Sequence, residues 1–318
     1  MGEVDRVISW RYHVVSLVAV VLAFGLGILA GTSVLDDRFV GQLEQNNAEA
    51  RKERDAAVAL ANLYERFAVG LQPSLRNDVL VGEDAIVVTL EGVDRPAQRT
   101  AEELTAAGVD VLATLELTRR LAEPEIEDNA AALGGILGLS GSDPETLRAG
   151  LADALAERLA VGALAQEGDV LGELLAGGFV TADRDLEPDA LLGIGGGGQL
   201  VVIAAGGPKP TRSVAPEALL VPLTEQLVRL DAPTVAVGPT EDDYGFVSAA
   251  RDANGIPDCS MVSVDDIDLG GIGGVTLAMA IDRLRVDPDP AFRPGGDYGT
   301  RGSSIVPGVS EPPDSCQR

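Results

Sequence analysis

The chain has 318 residues, room for one or two domains with a core, and it is 46% hydrophobic but only 3% aromatic, so that core must come from Ala, Val, Leu and Ile. Fifty acidic residues against 24 basic ones give a formal net charge of −26, a field that repels nucleic acid and anionic lipid surfaces. Two cysteines, Cys259 and Cys316, are too few for a disulfide framework.

The first element is apolar. Residues 14–35 carry no charge and are long enough to cross a hydrocarbon core of about 30 Å as a helix. Trp10 and Tyr12 stand where interfacial aromatics sit, and Asp36-Asp37 ends the run. Arg6 and Arg11 bias the N-terminus to the cytoplasm and the remainder to the outside. A cleaved signal peptide is the competing reading. Ile28-Leu29-Ala30 is a poor small-x-small cleavage site and the run exceeds a usual signal core, so an uncleaved single-pass anchor in the cell membrane is expected. Within it Ala19, Ala23, Gly27 and Gly31 recur every four residues. Small residues at that spacing let two helix backbones approach, although Gly and Ala are also common in membrane helices generally.

Residues 36–72 are polar and fit a heptad frame. Phe39, Leu43, Asn46, Ala50, Glu53, Ala57, Leu60, Tyr64, Phe67 and Leu71 follow alternating steps of four and three, the seam of a coiled coil. A buried Asn46 would fix register at some cost in stability, and Glu53 loosens the middle. The alternative is a single amphipathic helix folded onto the following domain. Gln72-Pro73-Ser74 is expected to stop the helix.

Residues 77–286 read as an α/β domain. "AIVVTL" (85–90), "VDVLATL" (109–115), "QLVVIAA" (199–205), "PTVAVG" (233–238) and "CSMVSV" (259–264) are short apolar runs with strand character. Helical patterns at 95–108, 117–178, 215–230, 242–255 and 273–284 alternate with them. Ser142 at capping-box spacing from Glu145 marks one helix start, and Pro222 is expected to interrupt another helix. The predicted fold is α/β: a membrane helix, a coiled coil, then a three-layer Rossmann-like domain with a mainly parallel sheet. Residues 287–318, rich in Pro, Gly and Ser, read as a disordered tail.

Chemistry is sparse. The one histidine, His13, lies in the cytoplasmic segment 1–13, which removes histidine-based nucleophilic and zinc sites from the domain outside. The glycines of "GIGGGG" (193–198) precede a strand rather than follow one, so they read as a flexible connector and not a dinucleotide loop. "AAGGPKPTR" (204–212) does follow a strand, and there Lys209 and Arg212 are candidates for an anion. Asp265, Asp266 and Asp268 are candidates for a hard cation, with Asp268 more simply a helix cap. No catalytic residues and no enzymatic activity are expected.

The blocks "ISWRYHVVSLVAVVLAFGLGILAGTSVL" and "MVSVDDIDLGGIGGVTLAMAI", with the heptad segment between, resemble the actinobacterial MctB family, also known as SteB, over residues 7–285. The resemblance implies copper efflux or resistance, and a SteA-like envelope partner in cell-wall assembly. Copper enters only through this resemblance, since no cofactor is read from the residues themselves. Cu(I) favours thiolate and thioether ligands, and Cys259 with Met261 on one strand face is the conceivable pair; core packing is the competing role. One membrane helix forms no pore alone, and the alternating strands of an outer-membrane barrel are absent from the pattern. The expectation is a homodimeric envelope scaffold that displays an α/β domain. The alternatives are a direct copper-transport component and a small-ligand or enzymatic domain using the loops at 206–212 and 265–268.

Overall fold

A computed structural model of the chain describes residues 10–76, 79–122, 127–140, 143–163, 168–210, 214–257, 260–285 and 295–301. The chain forms two compact units, residues 1–64 and 65–318. The first helix, α1 (Trp10–Arg76), contains both the apolar run and the heptad segment without a break. It continues through Pro73, where a stop was expected. Pro73 removes one main-chain hydrogen bond, and in the last turn of a long helix that loss is local.

The second unit is built on a seven-stranded sheet in the order β3-β2-β1-β4-β5-β6-β7. The strands are β1 (Asp84–Leu90), β2 (Asp110–Leu117), β3 (Val180–Ala182), β4 (Leu200–Ala204), β5 (Thr234–Val237), β6 (Val262–Val264) and β7 (Gly296–Tyr298). All neighbours are parallel except β2 and β3. Helices α2 (Arg95–Ala106), α3 (Arg119–Ala122), α4 (Glu127–Ile136), α5 (Pro144–Val161), α6 (Val170–Ala176), α7 (Pro188–Leu192), α8 (Leu220–Arg229), α9 (Phe246–Asp252) and α10 (Gly270–Arg285) complete it.

The sheet is the middle of three layers. Ile86, Val88 and Leu90 of β1 pack with Leu115 and Leu117 of β2 against Leu133, Leu151, Leu155, Leu174, Leu223 and Phe246 from the helices of one face. Ala85 and Val87 point the other way, with Val202, Val235 and Val264, onto Leu104 of α2 and Leu277 and Ile281 of α10. Burial on both faces explains why the β1 run is apolar without alternation.

Five strands lie where the apolar runs predicted them; β3 and β7 were not foreseen. β7 falls inside the segment expected to be disordered. It pairs with β6 and is fastened by side chains far away in sequence. Arg251 of α9 donates to Ser263 Oγ (2.7 Å) and to the Tyr298 carbonyl (3.0 Å), and Ser263 Oγ donates to Asp297 (2.7 Å).

Other local expectations shift by a residue or a role. The cap of α5 is Asp143, which accepts from the Thr146 N–H, not Ser142. Pro222 sits in the first turn of α8, where its missing N–H leaves no helical bond unmade, and a 3₁₀ turn (Pro216–Ala218) precedes it. The glycines at 195–198 form a turn whose first two residues, Gly195 and Gly196, pack against the end of α5. All have positive φ, and a Cβ on Gly196 would lie 2.7 Å from the Val161 carbonyl oxygen. Arg158 of α5 holds that turn through the Ile194 and Leu191 carbonyls and pairs with Asp169 at 2.5 Å.

Candidate functional site

The most apolar stretch is Tyr12–Leu29 of α1, with mean hydropathy 2.3 and none of it buried. Its length, about 27 Å at 1.5 Å per residue, matches a hydrocarbon core of about 30 Å. Leu17, Phe24 and Leu29 are each about 70% exposed. Ala19, Ala23 and Gly27 lie on this helix, and a Cβ on Gly27 would meet nothing within 4 Å. Gly31, Phe39, Leu43, Leu60, Tyr64 and Phe67 are also on α1, but their side chains lie outside the described residues. Asn46, Ala50, Glu53 and Ala57 are exposed, and Val58 is 52% exposed. Every described side chain of α1 faces solvent.

A second candidate lies at the carboxyl end of the parallel sheet, where the strand order reverses between β1 and β4. Open α/β sheets place ligands at such a reversal. A cavity of about 270 Å³ opens there, with Arg95, Arg99, Gly207, Pro239, Glu241 and Asp268 among its lining. The structure thus brings together the two loops that the sequence singled out. Arg95 and Arg99 of α2 line the cavity; Lys209 is exposed and is not among its lining, and Arg212 lies outside the described residues. Arg99 donates to the Gly270 carbonyl (3.0 Å) and lies 3.4 Å from Glu103.

The loop walls are fixed by carboxylates acting as local acceptors. Gly207, at φ +101°, donates its N–H to Asp242 Oδ1 (3.0 Å). Burial pushes the Asp242 carboxyl up despite the backbone N–H groups that it accepts from. Asp268 accepts from the Thr240 N–H (2.7 Å) and hydroxyl (3.0 Å), so it ties two loops together instead of serving only the helix behind it.

The three aspartates after β6 do not converge on a cation. The buried Asp265 pairs with the partly buried Arg251 at 2.6 Å. Asp266 is 1% exposed, accepts from Thr276 at 3.4 Å through Oδ2, and has no partner at Oδ1. Burial, then the neighbouring Asp265 charge, pushes its carboxyl up to about 7. Among the described residues no group of three or more His, Cys, Asp or Glu side chains is placed to hold a metal ion. Of the thiolate–thioether pair, Met261 is 4% exposed in the core on the α9 side, and Cys259 lies outside the described residues. Met261 lies just before β6, which begins at Val262.

The residue alternation in β1 also hid a polar feature. Thr89 and Glu116, unremarkable in sequence, line a large groove beside α2.

A family model described as copper transport outer membrane protein, MctB, matches residues 7–304. Proteins named copper transporter MctB from Mycobacterium bovis (strain ATCC BAA-935 / AF2122/97) and Mycobacterium tuberculosis (strains CDC 1551 / Oshkosh and ATCC 25618 / H37Rv) are similar to this chain. Each is 27% identical over 124 residues, which is 36% of this chain and 40% of the relative. The matched stretch thus spans less than half the length of those relatives.

Proposed function

The chain belongs to the MctB family of copper transport outer membrane proteins, and from that premise we propose that it is a dimeric, membrane-anchored envelope scaffold serving copper resistance. In this reading α1 anchors the protein, with its N-terminus in the cytoplasm. Its small-residue ladder and heptad seam pair two copies in parallel. The α/β domain is displayed outside to an envelope partner of the SteA kind, and the chain performs no catalysis.

The observation that carries the reading is the exposure of α1. An isolated helix is marginal in water and gains its stability by burying a face. The apolar stretch has lipid as its solvent; in the heptad segment beyond, the described seam residues Asn46, Ala50, Glu53 and Ala57 are exposed. A second copy, brought close by contact at Ala19, Ala23 and Gly27, supplies that face. Single cysteines at Gly27 and Leu43 should crosslink in membranes, and crosslinks at neither position would remove the dimer.

Direct copper transport is the second reading, favoured by the family's name. Cu(I) titration of the full chain in detergent decides it. Binding lost in Cys259→Ser supports a transport role, and no binding leaves copper as an indirect consequence of envelope function.

A further inference from the structure

Beside α2 the sheet face formed by β2 and β3 is open, and a groove of about 800 Å³ lies over it. Its rim is acidic, with Asp94, Glu102, Asp110 and Asp183 among the lining residues. Acidity alone suits a solvated face. The floor of the groove does not. Ile86, Val88 and Leu90 face the other layer, so Thr89 points to the α2 side. Thr89 is 2% exposed, lines the groove, and its hydroxyl has no hydrogen-bond partner. A buried hydroxyl left unpaired is a costly feature that a bound group would relieve.

The surroundings of Thr89 define the chemistry of that group. Thr89 is in register with Glu116 of β2, which is in register with Thr181 of β3. Thr181 donates to Glu116 Oε2 at 3.4 Å. Burial raises the Glu116 carboxyl, and the charges acting on it are the carboxylates Asp94 and Glu91. The cation at the rim, Arg184, is engaged with Asp183 (3.5 Å) and the Val111 carbonyl (3.1 Å). Ala97, Ala101 and Val111 add an apolar wall that suits an alkyl stem. The described residues place no metal-holding cluster here.

We propose that this groove binds a primary alkylammonium group, whose N–H donors meet Glu116, Asp94 and the Thr89 hydroxyl. An ammonium is a compact three-fold donor, and the groove offers it acceptors from β1, from β2 and from the Asp94 side chain that precedes α2. The group comes either from a free polyamine or from a lysine side chain of a partner.

Isothermal titration of the full chain in detergent tests this, with spermidine in one arm and an acetylated, amidated lysine dipeptide in the other. Saturable binding of either probe is expected, and the tighter arm identifies the source. Thr89→Val should weaken it about fivefold while Thr89→Ser retains it, and Glu116→Gln should weaken it about tenfold or more. Asp153→Asn, an exposed site on the opposite layer, should leave it unchanged. Absence of saturable binding in both arms means that the groove holds only water and overturns the proposal. So does equal weakening by Asp153→Asn and Glu116→Gln, which would reduce the effect to net charge.

Discussion

Asp266 gives the sharpest test of the packing around β6 and α10. It is 1% exposed, and its Oδ1 has no partner. Its backbone is held in place because Gly273 of α10 rests directly on the Asp266 carbonyl. With the folded carboxyl at about 7 against an ordinary 3.8, the protonated form is the one that the fold accommodates. The sign follows: the stabilisation is complete below about pH 4 and is lost as pH rises through 7. Ionising Asp266 in the folded state by pH 8 therefore costs up to about 4 kcal/mol, at 1.36 kcal/mol per pKa unit. Asp266→Asn removes the charge but adds an amide N–H with no acceptor, a cost of about 1–3 kcal/mol. The variant should thus be more stable than the parent by about 1–3 kcal/mol at pH 8, and less stable at pH 4, where Asp266 has lost less than about 1 kcal/mol. Urea unfolding of a fragment comprising residues 65–318, at pH 4, 5, 6, 7 and 8, reads both. The two stability curves should cross. Parallel curves, or a variant that is weaker at every pH, would refute the reasoning.

Arg251→Met should strand the buried Asp265 carboxylate and destabilise the domain by about 3–5 kcal/mol. Because Arg251 also holds the Tyr298 carbonyl, hydrogen exchange at residues 296–298 should rise more than in β4. Gly196→Ala combines φ +77° with a Cβ 2.7 Å from the Val161 carbonyl oxygen, so the loss should be about 2–4 kcal/mol by thermal melting. At Gly27, by contrast, an added Cβ meets nothing within 4 Å among the described residues, which is the ground for testing Gly27→Ile. It should leave domain stability unchanged and reduce only the crosslinking of α1.

The central strands were legible because burial on both faces gives unbroken β-branched runs, as in "AIVVTL". The apolar stretch of α1 was legible from length and charge alone. The two edge strands were not. "VTA" and "GDY" carry no pattern of their own, and β7 depends on Arg251 and Ser263, remote in sequence. The glycines at 195–198 looked loose because nothing in sequence shows the C-terminal end of α5 on which Gly195 and Gly196 pack. The aspartates after β6 looked like a cluster because spacing cannot show that Asp265, Asp266 and Asp268 take separate partners. Thr89 needs the sheet before its hydroxyl means anything, since its alternation is masked by the apolar residues on either side.

The central claim is that two copies pair in parallel along α1. A single spin label at Ala57, an exposed seam position, measures it in full-length protein reconstituted in bilayers. Parallel pairing in register brings the two labels together, so dipolar spectroscopy should give one narrow distance of about 10–25 Å, from helix axes about 10 Å apart plus the label arms. A spectrum with no dipolar coupling, or a broad distribution beyond that range, would contradict the account.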